Sequence, residues 1–527
     1  MAKKYDALSK GKIISGLRCT KKLWFDVHEP IKFEKKSTIE RGKRFGKEVI
    51  KNYTKGNGKF LDLTDAWENR VNRTKQAINS DDTNVIFEGA FEYLNTEVRT
   101  DVLIRKKKGW ELLEAKSAKK FKPKEHTLDI VIQSFIVREC MKKLGHDLIS
   151  SKLIHINGNF TLENDGDYKD LVNDENDITS DIIEIEKEIP NYIKDLMPLT
   201  NENLPCPDVE MGNHCKKPII QPYVCDHQDK CKSLLPKSNV TPYTILPIIG
   251  KRSKKLKEYM QKEGTMDIQK VPTTFFPDKT YENYAPNCHK IIQECHKKNK
   301  PWHNVENLKD IFNKFDFPFY FMDFEYVMQG VPIIKGTQPY YQLPFQWSVH
   351  KWESRDKKIN DGESFLKFKD QDIERQFIES LLKAVGENGT IFAHNSELVE
   401  IKILNNLKDK NNCKDLADKI DKLIGRVEDS LVIARKNFYS PLMNADWSIK
   451  SIIKSIPGSG VSYDEKDNIE GGDEAQLAWF IYTDPKTSNE VKKKQKKLLI
   501  DYCSKDTQAV YYLVKYLMGN TKVKKNS

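Results

Sequence analysis

The sequence predicts an α/β protein of several domains, and three features carry this prediction. The chain has 527 residues, which is more than one hydrophobic core usually accommodates, so two or three domains are expected. Its composition of 38% hydrophobic and 31% charged residues is typical of folded domains and excludes a largely disordered chain. Strand-like and helix-like hydrophobic periods both occur along it. Each domain therefore has enough apolar residues for a core of its own.

Three zones follow from the pattern. Residues 1–235 mix strand and helix signals and end in a cysteine-rich stretch. Residues 236–315 are rich in Pro and Lys and are predicted to form a connecting region. Residues 316–527 contain an aromatic strand at 319–326, a second apolar run at Thr390–Ala393 and an amphipathic helix from about residue 496 to 517. The last zone is predicted to be an α/β domain.

The charge balance indicates a polyanionic partner. Lys and Arg number 88 against 77 Asp and Glu, which gives a formal net charge of +11. The cations cluster at residues 105–108, 251–257 and 492–497, as in nucleic-acid-binding surfaces, although such runs are also ordinary solvated faces. The N-terminus lacks a signal-like apolar segment and no stretch could span a membrane, so we expect a cytoplasmic protein without membrane contact.

A basic hairpin carries the first candidate site. Residues 98–117 have the pattern of two strands joined by a tight turn that ends in Gly109. On the second strand Glu114 and Lys116 share a face, and Asp101 lies across the hairpin. The alternative is an exposed hairpin with an ordinary cross-strand ion pair.

This order of Asp101, Glu114 and Lys116 resembles the PD-(D/E)XK nuclease core. The resemblance implies that both acids bind Mg²⁺ or Mn²⁺ and that Lys116 stabilises charge on the phosphate. It extends to the RecB-type branch, in which Gln133 on the next helix would contact nucleic acid. The chain departs from that branch in two respects, which leave the metal stoichiometry open. Val137 stands where a Tyr is usual, and the metal-binding His has no counterpart, a gap that Glu48 or Glu88 could fill.

The cysteines of the first zone form a second pattern. Cytoplasmic cysteines are seldom disulfide-bonded, so clustered ones are metal-ligand candidates. One early cysteine, Cys19, and three late ones, Cys215, Cys225 and Cys231, resemble the iron–sulfur RecB-family nucleases, including the group associated with CRISPR systems. The resemblance implies a [4Fe–4S] cluster that ties the two ends of the domain together. Zinc suits four thiolates equally, and Cys206 could replace one of them.

Paired carboxylates mark the C-terminal zone. Asp323 and Glu325 are two apart on a predicted strand and so share a face, where two like charges need a compensating cation. Tyr502 and Asp506 are one helical turn apart and project from one face.

With residues 394–395, these motifs resemble the DnaQ-type 3′→5′ exonucleases of the ribonuclease H-like fold, in the subclass with a final Tyr-x-x-x-Asp. The resemblance implies that four acids hold two metal ions, that Tyr502 orients the attacking water and that Asn395 contacts nucleic acid. The second acid is irregular, because Val399 occupies its usual position between Glu397 and Glu400. We favour Glu400, since an apolar residue precedes it and Leu404 follows one turn later.

The whole arrangement resembles an uncharacterised bacterial family with a C-terminal domain of unknown function. We therefore expect a metal-dependent nuclease with two active centres, acting on DNA more than RNA in repair or phage defence, with a helicase or similar protein as candidate partner. One alternative is a nucleic-acid-binding protein whose nuclease domains are inactive strand grips. Another is that one domain cuts while the other holds the strand.

Overall fold

The chain forms two compact units. The computed structural model describes residues 7–31, 36–54, 58–61, 64–201, 203–209, 215, 225–234, 254–263, 267–276, 281–463, 469 and 471–519. Unit 1 comprises Met1–Lys237 and Gln329–Tyr341, and unit 2 comprises Ser238–Met328 and Gln342–Ser527. Residues 238–315 of the predicted connecting region thus belong to unit 2, whereas residues 329–341 of the predicted C-terminal domain belong to unit 1. None of the described helices combines the length and hydropathy needed to cross a membrane.

Unit 1 is a mixed α/β structure. Its strands are β1 (Leu8–Ser9), β2 (Gly58–Phe60), β3 (Val85–Phe87), β4 (Ala90–Tyr93), β5 (Thr96–Arg99), β6 (Val102–Lys106), β7 (Gly109–Lys116), β8 (Leu148–Ile156) and β9 (Val172–Asp177). Its helices are α1 (Lys10–Arg18), α2 (Thr20–His28), α3 (Ser37–Tyr53), α4 (Trp67–Asn79), α5 (Pro123–Lys143), α6 (Thr179–Glu186), α7 (Ile189–Leu196) and α8 (Gln228–Ser233). Six strands form one sheet in the order β2-β3-β6-β7-β8-β9, and β1-β5-β4 form a second.

The predicted hairpin is confirmed as β6 and β7. The two strands pair antiparallel from Val102 with Leu113 to Lys106 with Gly109. Gly109 has φ +149°, and a Cβ there would lie 2.5 Å from the carbonyl oxygen of Asp147, so this turn requires glycine. β7 then pairs parallel with β8, and α5 connects the two strands.

Alternation along β7 fixes which way its acid faces. Leu112 packs in the core that contains Ile132 and Ile136 of α5. Leu113 packs in a separate core with Phe45 of α3. Glu114 shares the parity of Leu112 and therefore projects toward the α5 side of the sheet.

Unit 2 contains the remaining elements. Its helices are α9 (Lys254–Lys262), α10 (Cys288–Lys298), α11 (Val305–Phe312), α12 (Ile373–Val385), α13 (Glu400–Lys408), α14 (Ala417–Ile424), α15 (Ser430–Asn437), α16 (Ile449–Ile453), α17 (Gly472–Thr483) and α18 (Asn489–Gly519). Its strands are β10 (Trp302–His303), β11 (Phe319–Met328), β12 (Gln342–Trp352), β13 (Glu363–Leu366), β14 (Thr390–Ala393), β15 (Val427–Asp429) and β16 (Phe438–Tyr439).

Five of these strands form a mixed sheet with β11 at its centre. The order is β13-β12-β11-β14-β15. β12 is antiparallel to both β11 and β13, whereas β14 is parallel to β11 and β15. The predicted aromatic strand is confirmed as β11, and the predicted final helix lies within α18.

The two faces of β11 pack against different layers. Met322 and Phe324 join the core that contains Phe377 of α12. Phe321 joins the other core, where its ring centroid lies 5.4 Å from that of Tyr511 on α18. Leu256, from the predicted connecting region, belongs to this second core. Asp323 and Glu325 have the parity of Phe321, so they face α18.

Candidate functional site

Three carboxylates of unit 2 converge at one point. Asp323 and Glu325 come from β11 and Asp506 from α18, and their ligand oxygens lie within 4.8 Å of one another. This acid triad is the one group of three or more potential metal ligands so closely spaced among the described residues. Glu325 and Asp506 are only 6% and 8% exposed, and Asp323 is partly exposed.

The strand beside β11 holds α18 in register with the triad. Gln346 and Ser348 of β12 stand opposite Glu325 and Asp323 respectively. The Gln346 amide donates to the carbonyl of Leu499 at 2.7 Å, and Ser348 Oγ lies 3.3 Å from Thr507 Oγ1, both on α18. These contacts fix the helix so that Asp506 meets the acids of β11.

Burial and mutual repulsion favour the protonated form of the triad. Burial raises the pKa of Asp323, and the charge of Asp506 raises it further. Burial also raises the pKa of Glu325, with added repulsion from Asp323 and Asp506. The Asp506 pKa is raised by burial despite hydrogen bonds from Tyr463 and Tyr502. Without a metal ion, burial and repulsion therefore favour proton uptake at the triad.

The structure distinguishes the two candidates for the fourth acid. Glu400 is 2% exposed at the start of α13, whereas Glu397 is exposed. Burial and the charge of Asp323 raise the Glu400 pKa, and its Oε2 has no hydrogen-bond partner among the described residues. A 3₁₀ turn at Ser396–Leu398 and an irregular Val399 with φ −123° and ψ −74° precede it. This turn accommodates the extra residue and directs Glu400 inward.

Sequence reasoning missed Asp429, whose carboxylate shapes this turn. Asn395 adopts a left-handed φ of 66°, and its backbone N–H donates to Asp429 Oδ1 at 2.9 Å. Asp429 also accepts the N–H of Ser396 at 3.1 Å and that of Leu431 at 2.8 Å. His394 is held between Ser430 Oγ at 3.0 Å and the carbonyl of Trp447 at 2.9 Å. The predicted His-Asn pair is thus part of a hydrogen-bonded turn beside the site.

Three further residues surround the triad without having been predicted. The Tyr463 hydroxyl donates to Asp506 Oδ1 at 2.5 Å. Lys450 Nζ lies 5.0 Å from the ring centroid of Tyr502 and 5.1 Å from that of Tyr463. The buried Cys503 thiol lies 3.3 Å from Asp323 Oδ2. Cys503 is adjacent in sequence to Tyr502, but nothing in the pattern around Lys450 or Tyr463 marked them.

In unit 1, lysines surround the predicted acid of β7. Glu114 is 3% exposed, and its Oε1 lies 2.8 Å from the Nζ atoms of both Lys10 and Lys116. Both lysines also pair with Asp129 of α5, Lys10 at 3.3 Å. These four residues form the lysine–carboxylate cluster, of which sequence reasoning had found only Glu114 and Lys116.

Asp101 adjoins this cluster. Its Oδ2 accepts the N–H of Ala115 at 2.6 Å. Burial and the charge of Glu114 raise the pKa of Asp101. Burial opposes ionisation of Glu114 as well, but the ammonium groups of Lys10 and Lys116 outweigh it and lower the Glu114 pKa. Within this coupled pair, protonation is therefore favoured at Asp101 and ionisation at Glu114.

The other predicted residues of unit 1 differ in position. Glu88 raises the pKa of Asp101 by its charge, so it lies in the same electrostatic environment. Glu48 instead pairs with Lys51 at 2.7 Å. Gln133 is 0% exposed, and neither of its amide atoms has a hydrogen-bond partner among the described residues. A contact between Gln133 and nucleic acid stays a prediction, and it would require this side chain to become accessible.

The candidate cluster cysteines lie where the two ends of unit 1 meet. Cys19 precedes α2, and the N–H of Cys225 donates to the carbonyl of Cys215 at 3.1 Å. Burial raises the pKa of Cys231, and the thiols of Cys215, Cys19 and Cys206 add to this shift. All five thiols therefore belong to one neighbourhood, since Cys225 also interacts with Cys215 and Cys231.

Helix α2 is tied to the late segment by polar contacts. Asp26 Oδ1 lies 2.7 Å from His227 Nε2, and the Trp24 indole donates to the carbonyl of Leu204 at 2.8 Å. His28 Nε2 lies 3.0 Å from the carbonyl of Leu199. The polypeptide thus already joins its early and late parts at the cysteines.

Comparison with known proteins adds one similarity. Residues 320–448 match a domain of unknown function, DUF2779. The matched stretch includes Asp323, Glu325 and Glu400 and ends before Lys450, Tyr463 and Asp506. No curated protein matches the chain at a significant level.

Proposed function

We propose that this chain is a divalent-metal-dependent nuclease that hydrolyses phosphodiester bonds, with DNA favoured over RNA as substrate. The observation that carries the proposal is the convergence of Asp323, Glu325 and Asp506 within 4.8 Å, with Glu400 buried nearby. Such a concentration of buried acids is costly unless cations compensate it.

The fold around the triad supports the ribonuclease H-like assignment. A five-stranded mixed sheet carries two acids on its central strand, and a helix packed across that face supplies a third. The Tyr-x-x-x-Asp motif lies on that helix, as the resemblance to DnaQ-type exonucleases implies. This arrangement supports 3′→5′ exonuclease chemistry at unit 2.

The donor set suits Mg²⁺ or Mn²⁺. Carboxylate oxygens are the ligands that hard divalent ions prefer, and Glu400 offers an Oε2 without a partner among the described residues. Asp323, Glu325, Glu400 and Asp506 would hold two ions, which when bound supply an activated water and stabilise the leaving oxygen. Tyr502 hydrogen-bonds Asp506 and would keep its phenol neutral for orienting that water.

Unit 1 is proposed as a second nuclease centre of the PD-(D/E)XK type. The hairpin, the following helix and the parallel strand β8 support this assignment. Asp101 and Glu114 would hold the ion, and Lys116 would stabilise phosphate charge.

A second candidate function is that unit 1 binds the nucleic-acid strand while unit 2 cleaves it. It is favoured by the pairing of Lys10 and Lys116 with Glu114 and Asp129, which compensates these acids without a metal ion.

The cysteines are proposed to hold a [4Fe–4S] cluster. Thiolates from both ends of unit 1 share one neighbourhood, and cluster ligation would reinforce the contacts that α2 makes with the late segment. Zinc is the alternative occupant.

We further propose a cytoplasmic role in DNA repair or phage defence, with a helicase or similar protein as partner.

The test is a cleavage assay with end-labelled single- and double-stranded DNA and RNA in Mg²⁺, Mn²⁺ and EDTA. We expect metal-dependent shortening from the 3′ end that the Asp323→Asn variant loses. Binding without cleavage by the wild-type protein under every condition would instead identify a nucleic-acid grip. Cleavage that survives in Asp323→Asn but not in Asp101→Asn would assign the activity to unit 1.

A further inference from the structure

A short segment after the matched domain brings a cation and a second phenol to the acid triad. α16 packs on α18 and carries Lys450, and Tyr463 follows ten residues after the end of that helix. Neither residue belongs to the DnaQ-like motifs, and both lie beyond residues 320–448. The segment therefore adds groups to the site that the motifs do not include.

Lys450 is carried on an anchored element. Ile449, Ile452 and Ile453 of α16 are buried in the core that also holds Val510 of α18. Ser448 caps the helix by accepting the N–H of Ser451 at 3.3 Å. Because its helix is fixed on one side, the Lys450 side chain has a restricted range of positions.

The Lys450 ammonium stands at the faces of both tyrosines that bind Asp506. It lies 5.0 Å from the ring centroid of Tyr502 and 5.1 Å from that of Tyr463, within the range of cation–π attraction. Its positive charge also attracts the carboxylates of Asp323, Glu325 and Asp506. The lysine is partly exposed, as is Asp323 of the triad.

We propose that Lys450 binds the phosphate undergoing cleavage and is a catalytic residue of unit 2, and that Tyr463 is a positioning residue that holds Asp506. This proposal rests on the proposed nuclease function. In the reaction the water oxygen bonds to phosphorus and loses a proton to solvent, the bond from phosphorus to the 3′-oxygen breaks, and that oxygen takes a proton from solvent and leaves as a hydroxyl. Negative charge on the non-bridging oxygens grows at the transition state, and a fixed ammonium stabilises it.

The two roles predict different kinetic effects. Lys450→Met keeps the aliphatic chain and its ring contacts but removes the charge, so kcat should fall about 100-fold, as for loss of one transition-state donor. Lys450→Arg should keep at least about a tenth of wild-type kcat because it retains a cation donor. Tyr463→Phe should lower kcat about tenfold with KM little changed, since it removes one hydrogen bond to a charged carboxylate.

Mn²⁺ binding separates a catalytic role from a structural one. Lys450→Met should bind Mn²⁺ about threefold more tightly by calorimetric titration, because a positive charge next to the acids is gone. A residue needed only for folding would weaken both metal binding and turnover. Lys383→Met, which removes an exposed charge from α12 outside the cation clusters, is the matched control and should leave kcat and Mn²⁺ affinity unchanged.

The outcomes are distinguishable from failure of the proposed function. If the wild-type protein cleaves and Asp323→Asn does not, the nuclease function stands. Lys450→Met with kcat within threefold of wild type, or with Mn²⁺ binding lost together with turnover, would then overturn the Lys450 proposal alone. If the wild-type protein neither cleaves nor binds Mn²⁺ at the triad, the proposed function fails and the Lys450 proposal fails with it.

Discussion

Replacing one acid of the triad should stabilise the metal-free protein while abolishing its activity. Asp323→Asn preserves the shape of the side chain but removes one of three carboxylates whose oxygens lie within 4.8 Å of one another. Buried like charges oppose folding unless protons or cations neutralise them. The variant should therefore unfold at a higher temperature in EDTA and at a lower temperature than the wild-type protein in saturating Mn²⁺.

The size of the effect follows from the spacing. At an effective dielectric constant of about 20, two unit charges at the 4.8 Å limit repel by about 3 kcal/mol. Proton uptake relieves much of this repulsion, so we expect a net gain of about 2 kcal/mol at pH 8. For unit 2, which spans roughly 280 residues, this corresponds to a rise of about 3–4 °C in Tm.

The pH dependence has a defined sign. The pKa of Asp323 is raised in the folded protein, so the folded state holds this proton more tightly than the unfolded state does. The resulting stability is fully present below the unfolded pKa of about 4 and is lost as the pH rises through the folded pKa. In EDTA, the Tm of Asp323→Asn should accordingly exceed that of the wild-type protein by more at pH 8 than at pH 5.5.

Differential scanning calorimetry at both pH values, with EDTA or Mn²⁺, measures the effect. Glu397→Gln is the control, because it removes a carboxylate of the same motif that is exposed, and its Tm should change little. A lower Tm for Asp323→Asn than for wild type in EDTA at pH 8 would refute the argument from repulsion. The argument would also be refuted if the Tm of Asp323→Asn in EDTA exceeded that of the wild-type protein by as much at pH 5.5 as at pH 8.

Three other predictions test the remaining assignments. Anaerobically purified protein should be brown, with absorbance near ~400 nm that bleaches on reduction, and Cys19→Ser should lose both the colour and the stability of unit 1; a colourless protein with stoichiometric zinc would contradict this. Asp101→Asn should abolish one cleavage activity and spare a second that Tyr502→Phe removes; loss of all activity in Asp101→Asn would exclude two independent centres. Glu400→Gln should lose at least about tenfold more exonuclease activity than Glu397→Gln, and equal losses measured on end-labelled DNA would remove Glu400 from the site.

The part of the site that sequence could predict depends on local periodicity. A period of two placed Asp323 and Glu325 on one face of β11, and the helical repeat placed Tyr502 and Asp506 on one face of α18. The same reasoning located Glu114 and Lys116 on β7. These relations join residues that are close in the sequence, so they can be predicted without knowing how the strands and helices pack.

The residues that sequence reasoning missed reach their sites through packing. Lys10 and Glu114 are 104 residues apart in the chain and meet because α1 lies next to α5, on the side of the sheet to which Glu114 projects. Tyr463 and Asp506 are 43 residues apart and meet where the segment after α16 contacts α18. No periodic pattern relates such pairs. The position of Glu400 was ambiguous for a different reason, since a 3₁₀ turn changes the spacing that a regular helix would impose.

The predicted connecting region shows that sequence patterns also fail to predict packing at the level of the fold. Its Pro and Lys content indicated a linker, but Leu256, Ile268 and Ile292 are buried in the core that contains Phe319. A few apolar residues in short helices are sufficient to dock a segment when the receiving face is already hydrophobic. The overall composition of the segment is dominated by its polar residues, so it does not reveal the few apolar residues that become buried.

The two sites neutralise their acids differently, and this difference predicts which of them depends more on metal. In unit 1, Lys10 and Lys116 contact both Glu114 and Asp129, so the fold supplies much of the compensating charge itself. At unit 2, Lys450 acts on Asp323, Glu325 and Asp506, Lys505 acts on Asp506, and the pKa values of all four acids nevertheless stay raised. Divalent ions should therefore stabilise unit 2 more than unit 1. It follows that a Mn²⁺ titration should raise the unfolding temperature of unit 2 first, and that a nucleic-acid grip at unit 1 would persist in EDTA.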